Sequence, residues 1–286
     1  MRVQPECLPC ILNRVLFEVN MVNPEKADII MPKVLRVLCE SYPSDIRSAK
    51  VWTKIHEIVY SELGEDPYKD LKKRSNRIAM EIYPKAREIY LKSDDKLRTA
   101  ALISIAGNVL DFGISGGVAQ PEIFEKKFMD IVNEGLGYDD TGKLEKYLKN
   151  GAEVIYLADN CGEIVLDKIM IEELKRRGCR VTLVVRGEPI ISDATLEDAE
   201  YVSITKMVDE VTTTGIFAIG VDLDRIPESL KRKLEDADII IAKGMANYES
   251  ICYDLRPIAY LMRAKCKPVA RSLGVPFNKN VVKVIE

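Results

Sequence analysis

Halfway along this chain the spacing of its apolar residues changes period, and that break limits what the chain can fold into more than any other feature. From about residue 5 to 135, apolar residues recur three and four apart, as in CILNRVLFEVNMV, MPKVLRVLCESY, AREIYLKS and TAALISIAGNVLDFGI. That is the spacing of amphipathic helices. Pro43, Pro67 and Pro84 fall between such segments, and Ser44-Asp45 and Ser93-Asp94 offer turn or cap chemistry, which predicts several medium helices rather than a few long ones. After Gly135-Leu136-Gly137 and a short charged helix, KLEKYLKN, continuous apolar runs of strand length appear at 153–158, 180–185, 216–221, 238–242 and 281–285. Helical segments such as IVLDKIMIEELKRRG and ESLKRKLEDA separate them. Strands apolar on both faces and alternating with helices predict a mainly parallel sheet covered by helices. The expected fold class is therefore α/β, a Rossmann-like, mainly parallel sheet with flanking helices over residues 146–286, plus an all-helical N-terminal domain over residues 1–145.

Composition removes several functions. With 286 residues, 47% of them hydrophobic, the chain can bury a full core without staples. A formal net charge of -3, with basic and acidic residues interleaved, gives no attraction to phosphate polyanions, so a nucleic-acid partner is not expected. The start, MRVQPECLPC, has no basic stretch leading into an apolar one, and no apolar run approaches the ~18 residues of a membrane span. A cytoplasmic protein without a membrane partner is expected. No heptad or isolated apolar face marks an oligomer interface. Seven scattered cysteines, an odd number, read as reduced thiols rather than a disulfide framework. The single histidine, His56, lies in a helical pattern and reads as a packed helix residue, which removes His-rich zinc sites and Ser-His-Asp triads.

In open α/β sheets ligands bind where the carboxyl ends of strands release the chain, and three such exits carry polar residues. The first, Asp159-Asn160-Cys161-Gly162-Glu163, sits between a strand and an amphipathic helix. Its two adjacent oxygen donors can face one ion, while a plain helix cap explains the same residues. The second runs from Arg186 to Thr195 and includes Asp193, a second carboxylate on a neighbouring loop that N-capping equally accounts for. The third, Lys243-Gly244-Met245-Ala246-Asn247, puts a lysine and an amide at the mouth of the sheet, which suits a phosphate oxygen, a solvated surface lysine being the plain alternative. Asp159, Asn160 and Asp193 together make an all-oxygen set for a hard divalent ion, Mg²⁺ or Mn²⁺, with Co²⁺ or Ni²⁺ as substitutes. Such an ion beside Lys243 fits phosphomonoester hydrolysis, and Glu163 is placed to orient water or to complement the helix dipole.

LADNCGEIVLDKI, SDATLED and AKGMANYES, with the N-terminal Cys7-x-x-Cys10, DPYKDLKKRSNRIA around Ser75 and Asn76, AGNVLDFG and RAKCKPVARSLGVP, resemble the damage-control phosphatase family, formerly a family of unknown function numbered eighty-nine, and its archaeal-type members in particular. The resemblance covers nearly the whole chain. It implies a metal-dependent phosphatase acting on small phosphorylated metabolites, damaged or in excess. It also implies that Asp159, Asn160 and Asp193 bind the metal, that Lys243 and Asn247 meet phosphate or substrate, and that Asn108 and Asp111 reach the site from the helical half. Ala246 departs from the family pattern, which has glycine there.

Other chemistries fit less well. Asp222 and Asp224 in IFAIGVDLDRI echo the strand end of haloacid-dehalogenase phosphatases, but Ile226 stands where Thr or Val is needed. Cys266 and Arg271 are one residue too close for a cysteine phosphatase, and no GxxxxGK[ST] loop is present. Cys7 and Cys10 suit zinc, a redox pair or two buried thiols. A Rossmann-like domain also admits S-adenosylmethionine-dependent carboxyl methyl transfer, although the usual glycine-rich turn is missing, and a non-enzymatic metal- or metabolite-binding protein is a further alternative.

Overall fold

The computed structural model describes residues 1–110 and 121–286. Five helices open the chain: α1 (Cys7–Val22), α2 (Ala27–Ser41), α3 (Ser48–Leu63), α4 (Lys69–Lys92) and α5 (Lys96–Ala106), followed by α6 (Pro121–Glu134). Helices α1 to α3 close an apolar core of their own around Ile11, Val15, Ile30, Val34, Ile55 and Val59. Pro84 lies inside α4 rather than between helices. The face of α4 carrying Ile78, Ala79, Ile82, Ala86 and Tyr90 is continuously buried, and that burial outweighs the one backbone hydrogen bond a proline removes.

The second half alternates as the sequence predicts: β1 (Tyr138–Asp139), α7 (Thr141–Leu144), β2 (Glu153–Leu157), α8 (Glu163–Arg176), β3 (Arg180–Val185), α9 (Leu196–Tyr201), β4 (Glu210–Thr213), α10 (Glu228–Asp236), β5 (Ile239–Lys243), α11 (Gly244–Ile251), β6 (Ile258–Arg263), α12 (Lys267–Leu273) and β7 (Asn280–Ile285). The seven strands form one sheet in the order β1-β7-β6-β5-β2-β3-β4. All neighbours are parallel except β6 and β7. Residues of opposite parity serve opposite faces. Val154, Tyr156, Ile239 and Ile241 pack with α4, α5 and α8, whereas Ile155, Leu157, Ile240 and Ala242 pack with α10, α11 and α12. Helices from the first half thus share a core with the sheet.

The apolar run 216–221 is not a strand. It is an irregular loop, and Gly220 within it has φ 68° and a carbonyl that accepts a hydrogen bond from the Arg186 side chain at 3.0 Å. The fourth strand is instead the half-buried EVTT segment at the sheet edge, and β6 follows Pro257. Among the described residues no helix is long and apolar enough to cross a membrane.

Candidate active site

Strand order reverses between β2 and β5, because the chain builds outward from β2 through β3 to β4 and then returns to β2's other side. That is the switch point at which open sheets leave a crevice. The loops leaving β2 and β3 are zipped together there. Ala194 N–H donates to the Asp159 carbonyl and Cys161 N–H to the Ser192 carbonyl, both at 2.8 Å. Asn160 and Asp193 consequently face each other as an isolated antiparallel bridge.

Capping does not account for these residues. Helix α8 has Gly162 at its N-cap position and no side-chain cap bond, and its first N–H partner is the Asn76 carboxamide, which accepts from Gly162 N–H at 2.7 Å. Helix α9 is capped by Thr195 and Asp198 in a reciprocal capping box, not by Ser192 or Asp193.

Asp159, Asn160 and Asp193 instead line a cavity of about 160 Å³. The Arg186 guanidinium joins the two carboxylates, with Nε 2.5 Å from Asp193 Oδ2 and Nη2 3.5 Å from Asp159 Oδ1. The Asn160 amide nitrogen donates to Asp159 Oδ2 at 2.7 Å, and its oxygen accepts from Ser192 Oγ at 2.6 Å. Asn108 reaches the same group from the helical half, donating to Glu163 Oε2 at 2.7 Å and to Asp159 Oδ2 at 3.4 Å. Asp111 lies outside the described residues.

Lys243 and Asn247 are placed differently from the phosphate-facing arrangement expected of them. Lys243 is fully buried and does not line the cavity. Its ammonium donates to Glu163 Oε1 at 2.5 Å and to the Ser104 carbonyl at 2.9 Å, and lies 3.1 Å from Asp167. Burial works against its charge, and Asp167 and Glu163 more than offset that, holding its pKa above the usual lysine value. Burial, opposed by Lys243 and reinforced by Glu163, raises the Asp167 carboxyl to about 6. Asn247 staples the backbone, donating to the carbonyls of Lys243 at 2.7 Å and Ala158 at 3.1 Å, while its oxygen accepts from Arg186 at 3.1 Å. Glu163 is likewise buried, holding the amides of Asn108 and Asn160 in place.

Two residues named at the strand exits without a role of their own complete the geometry. Arg186 is the hub between both acids, and Gly244 (φ 72°) lets the β5–α11 turn pass against Asp159, where a Cβ would stand 1.8 Å from Asp159 Oδ2. Cations that do line the cavity are Arg14 and Lys265. Cys7, Cys10 and Cys266 line it too, and burial raises the Cys266 thiol to about 11. Among the described residues no group of three or more His, Cys, Asp or Glu side chains is arranged to hold a metal. Asp222 and Asp224 lie outside this cavity, both beside Lys50, after a loop rather than a strand.

Whether the residues present fit a divalent ion is a question of charge and donor type. Asp159, Asp193, Glu163 and Asp167 are bonded into one buried network with Arg186 and Lys243. Two carboxylates and an amide oxygen at the cavity wall are the hard donors a divalent cation takes, so the site fits such an ion.

The sequence model of the Damage-control phosphatase ARMT1-like domain matches residues 3–281. A damage-control phosphatase of Archaeoglobus fulgidus is 44% identical over 291 residues, covering 100% of both chains. Another, from Pyrococcus horikoshii, is 32% identical over 283 residues, with 96% of each chain covered. The crystal structure of a DUF89 family protein from Pyrococcus horikoshii matches the fold with a TM-score of 0.89 at 30% identity, covering 100% of both chains. The chain therefore belongs to the damage-control phosphatase family.

Proposed function

We propose that this protein is a phosphatase of small phosphorylated metabolites, dependent on a divalent metal ion held by Asp159, Asn160 and Asp193. The observation that carries the reading is the meeting of two buried carboxylates, Asp159 and Asp193, and the Asn160 amide on the wall of one cavity at the switch point of the sheet. When bound, the ion supplies Lewis-acid neutralisation of a phosphoryl oxygen. Arg186 bonds to both Asp159 and Asp193 and so orients the two carboxylates. Lys265 and Arg14, the cations on the cavity wall, are the groups placed to meet the remaining phosphoryl charge, in the role the sequence suggested for Lys243. Lys243 acts from behind, through Glu163, on the amides of Asn108 and Asn160.

Phosphate release from a panel of sugar phosphates, nucleotides and other metabolite esters, with Mg²⁺, Mn²⁺, Co²⁺, Ni²⁺ or a chelator, tests this directly. Asp159→Ala is expected to abolish metal-stimulated release, by at least about a thousandfold in kcat, while circular dichroism shows a folded chain. Full activity in that variant sinks the assignment. Absence of release from every ester in every metal would instead favour a methyltransferase or a binding protein.

A further inference from the structure

We propose that Asn76, on α4, is a positioning residue for the metal ligands: its carboxamide ties the start of α8 to the start of α9 and so fixes Asp159 and Asn160 relative to Asp193. The inference rests on the phosphatase reading and deepens it by assigning a residue, remote from substrate, on which the ion's site depends.

Helix α4 turns a partly polar face toward the second half of the chain. Lys72, Ser75, Asn76 and Ala79, spaced three and four apart, are all buried. Lys72 pairs with Asp66 at 2.5 Å, and Ser75 Oγ donates to the Leu71 carbonyl at 2.8 Å, so both are satisfied close to α4 itself. Asn76, only 1% exposed, reaches across instead. Its oxygen accepts from Gly162 N–H at 2.7 Å and its nitrogen donates to Asp198 Oδ1 at 3.0 Å. A buried amide is costly unless both of its ends are met, and here they are met by two different loops.

Both partners are cap groups. Gly162 occupies the N-cap position of α8, and in a capping box the third helical residue would reach back to that N–H. Val165 stands there and has no side-chain acceptor, so Asn76 supplies one from another helix. Asp198 is the third residue of α9, and its Oδ2 accepts from Thr195 N–H at 3.0 Å and Thr195 Oγ1 at 2.8 Å. Asn160 lies two residues before Gly162, and Asp193 two before Thr195. One amide thus joins the caps of the helices that follow the two ligand-bearing exits. Helix α3 holds the outer side of the second exit, where Ile191 N–H donates to the Tyr60 hydroxyl at 2.8 Å. Neither Asn76 nor Asp198 lines the cavity, so their part is to hold the ligands, not to touch substrate.

The bridge runs in one sense only. Gly162 offers a donor and Asp198 an acceptor, and the group between them must accept at one end and donate at the other, which an amide does and a carboxylate does not. Asn76→Asp therefore sets carboxylate oxygens of positions 76 and 198 against each other. Asp198→Asn, with its oxygen kept by Thr195, sets two NH₂ groups together, and turning the Asn76 amide over only moves the conflict to Gly162 N–H. Exchanging the two side chains restores every bond: a carboxylate at position 76 accepts from Gly162 and from an amide at position 198, whose oxygen accepts from Thr195.

Mn²⁺ titration by calorimetry, and phosphate release at saturating Mn²⁺, test this on the full chain well below each variant's melting temperature. Asn76→Asp and Asp198→Asn are each expected to weaken Mn²⁺ binding and to lower kcat by about tenfold or more. The double variant Asn76→Asp/Asp198→Asn is expected to return both to within about threefold of the wild type. Asn76→Ser, which opens the bridge without opposing like groups, is expected to show the loss even where a single exchange fails to fold. A purely structural amide would lower the melting temperature of these variants and leave the Mn²⁺ Kd and kcat of the folded protein at wild-type values. That result overturns the positioning role and leaves the phosphatase reading standing, as does a double variant no better than the worse single one. If the wild type neither binds a divalent ion nor releases phosphate from any ester, the phosphatase reading fails first and the positioning role falls with it.

Discussion

Gly244 shows how tightly single positions constrain this site. Its left-handed backbone and the 1.8 Å separation a Cβ would have from Asp159 Oδ2 leave room for no other residue. Gly244→Ala is expected to destabilise the fold by about 2 kcal/mol or more, from the strained φ and the overlap together, and to weaken Mn²⁺ binding in calorimetry because Asp159 must move. Wild-type affinity in that variant would show that Asp159 has slack. The same scale explains what could be read in advance. Asp159, Asn160 and Asp193 were legible as strand-exit oxygen donors, and they do share one cavity. Lys243 was legible as a sheet-mouth lysine, but its direction follows from parity. It has the register of Ile239 and Ile241, which face α5 and α8, so its side chain goes to Ser104, Glu163 and Asp167 instead of to the cavity. Arg186 has the register of Val184, facing α11 and Asn247, and counting residues along β3 would have found it.

At the scale of elements, α3 links the helical core to the site loops, and its buried His56 makes that link sensitive to pH. The ring's Nε2 lies 3.0 Å from Glu18 Oε1 on α1, and its Nδ1 lies 2.8 Å from the Trp52 carbonyl. Burial disfavours the charged ring, while the charge and hydrogen bond of Glu18 more than offset it and raise the pKa. A raised folded value means the ion pair contributes its stability in full below the unfolded value of ~6.5 and loses it as pH rises through the folded value. Melting temperature should therefore fall as pH rises above ~6.5 in the wild type, and this component of the slope should vanish in His56→Gln. An identical slope in the variant would assign the pH dependence elsewhere. Elements also show where pattern reading fails. The 216–221 run has a strand's composition, but Gly220 turns the backbone, Phe217 and Ile219 pack against α3 residues, and Ile219 lines the cavity. An apolar run signals burial before it signals conformation.

For the molecule as a whole, the proposed metal dependence predicts a response of stability to divalent ions. At a hundredfold excess over its Kd, a bound divalent ion adds ~2.7 kcal/mol of stability, an upward shift of several degrees in melting temperature for a chain this size. Mn²⁺ with the wild type should show that shift and a chelator should reverse it, whereas Asp193→Asn should respond weakly or not at all. An equal shift in the variant would place the ion elsewhere. The α/β class and the helical first half were legible because period 3.6 and two-sided strands differ over long stretches. How α4 and α5 lie on the sheet was not, because an amphipathic face says that it is buried without naming its cover.

One cavity collects Cys7 from the first helix, Trp52 from the third, Asp159 and Asp193 from two loops of the sheet, and Cys266 from just before the last helix. Residues 259 positions apart by number, 266 − 7, thus border a single space. No contiguous fragment short of almost the full chain holds all of these walls, so a truncated or half-folded polypeptide would keep recognisable motifs and lack the chamber they serve. Competence here is a property of the finished topology, which makes catalysis its own proofreader of folding.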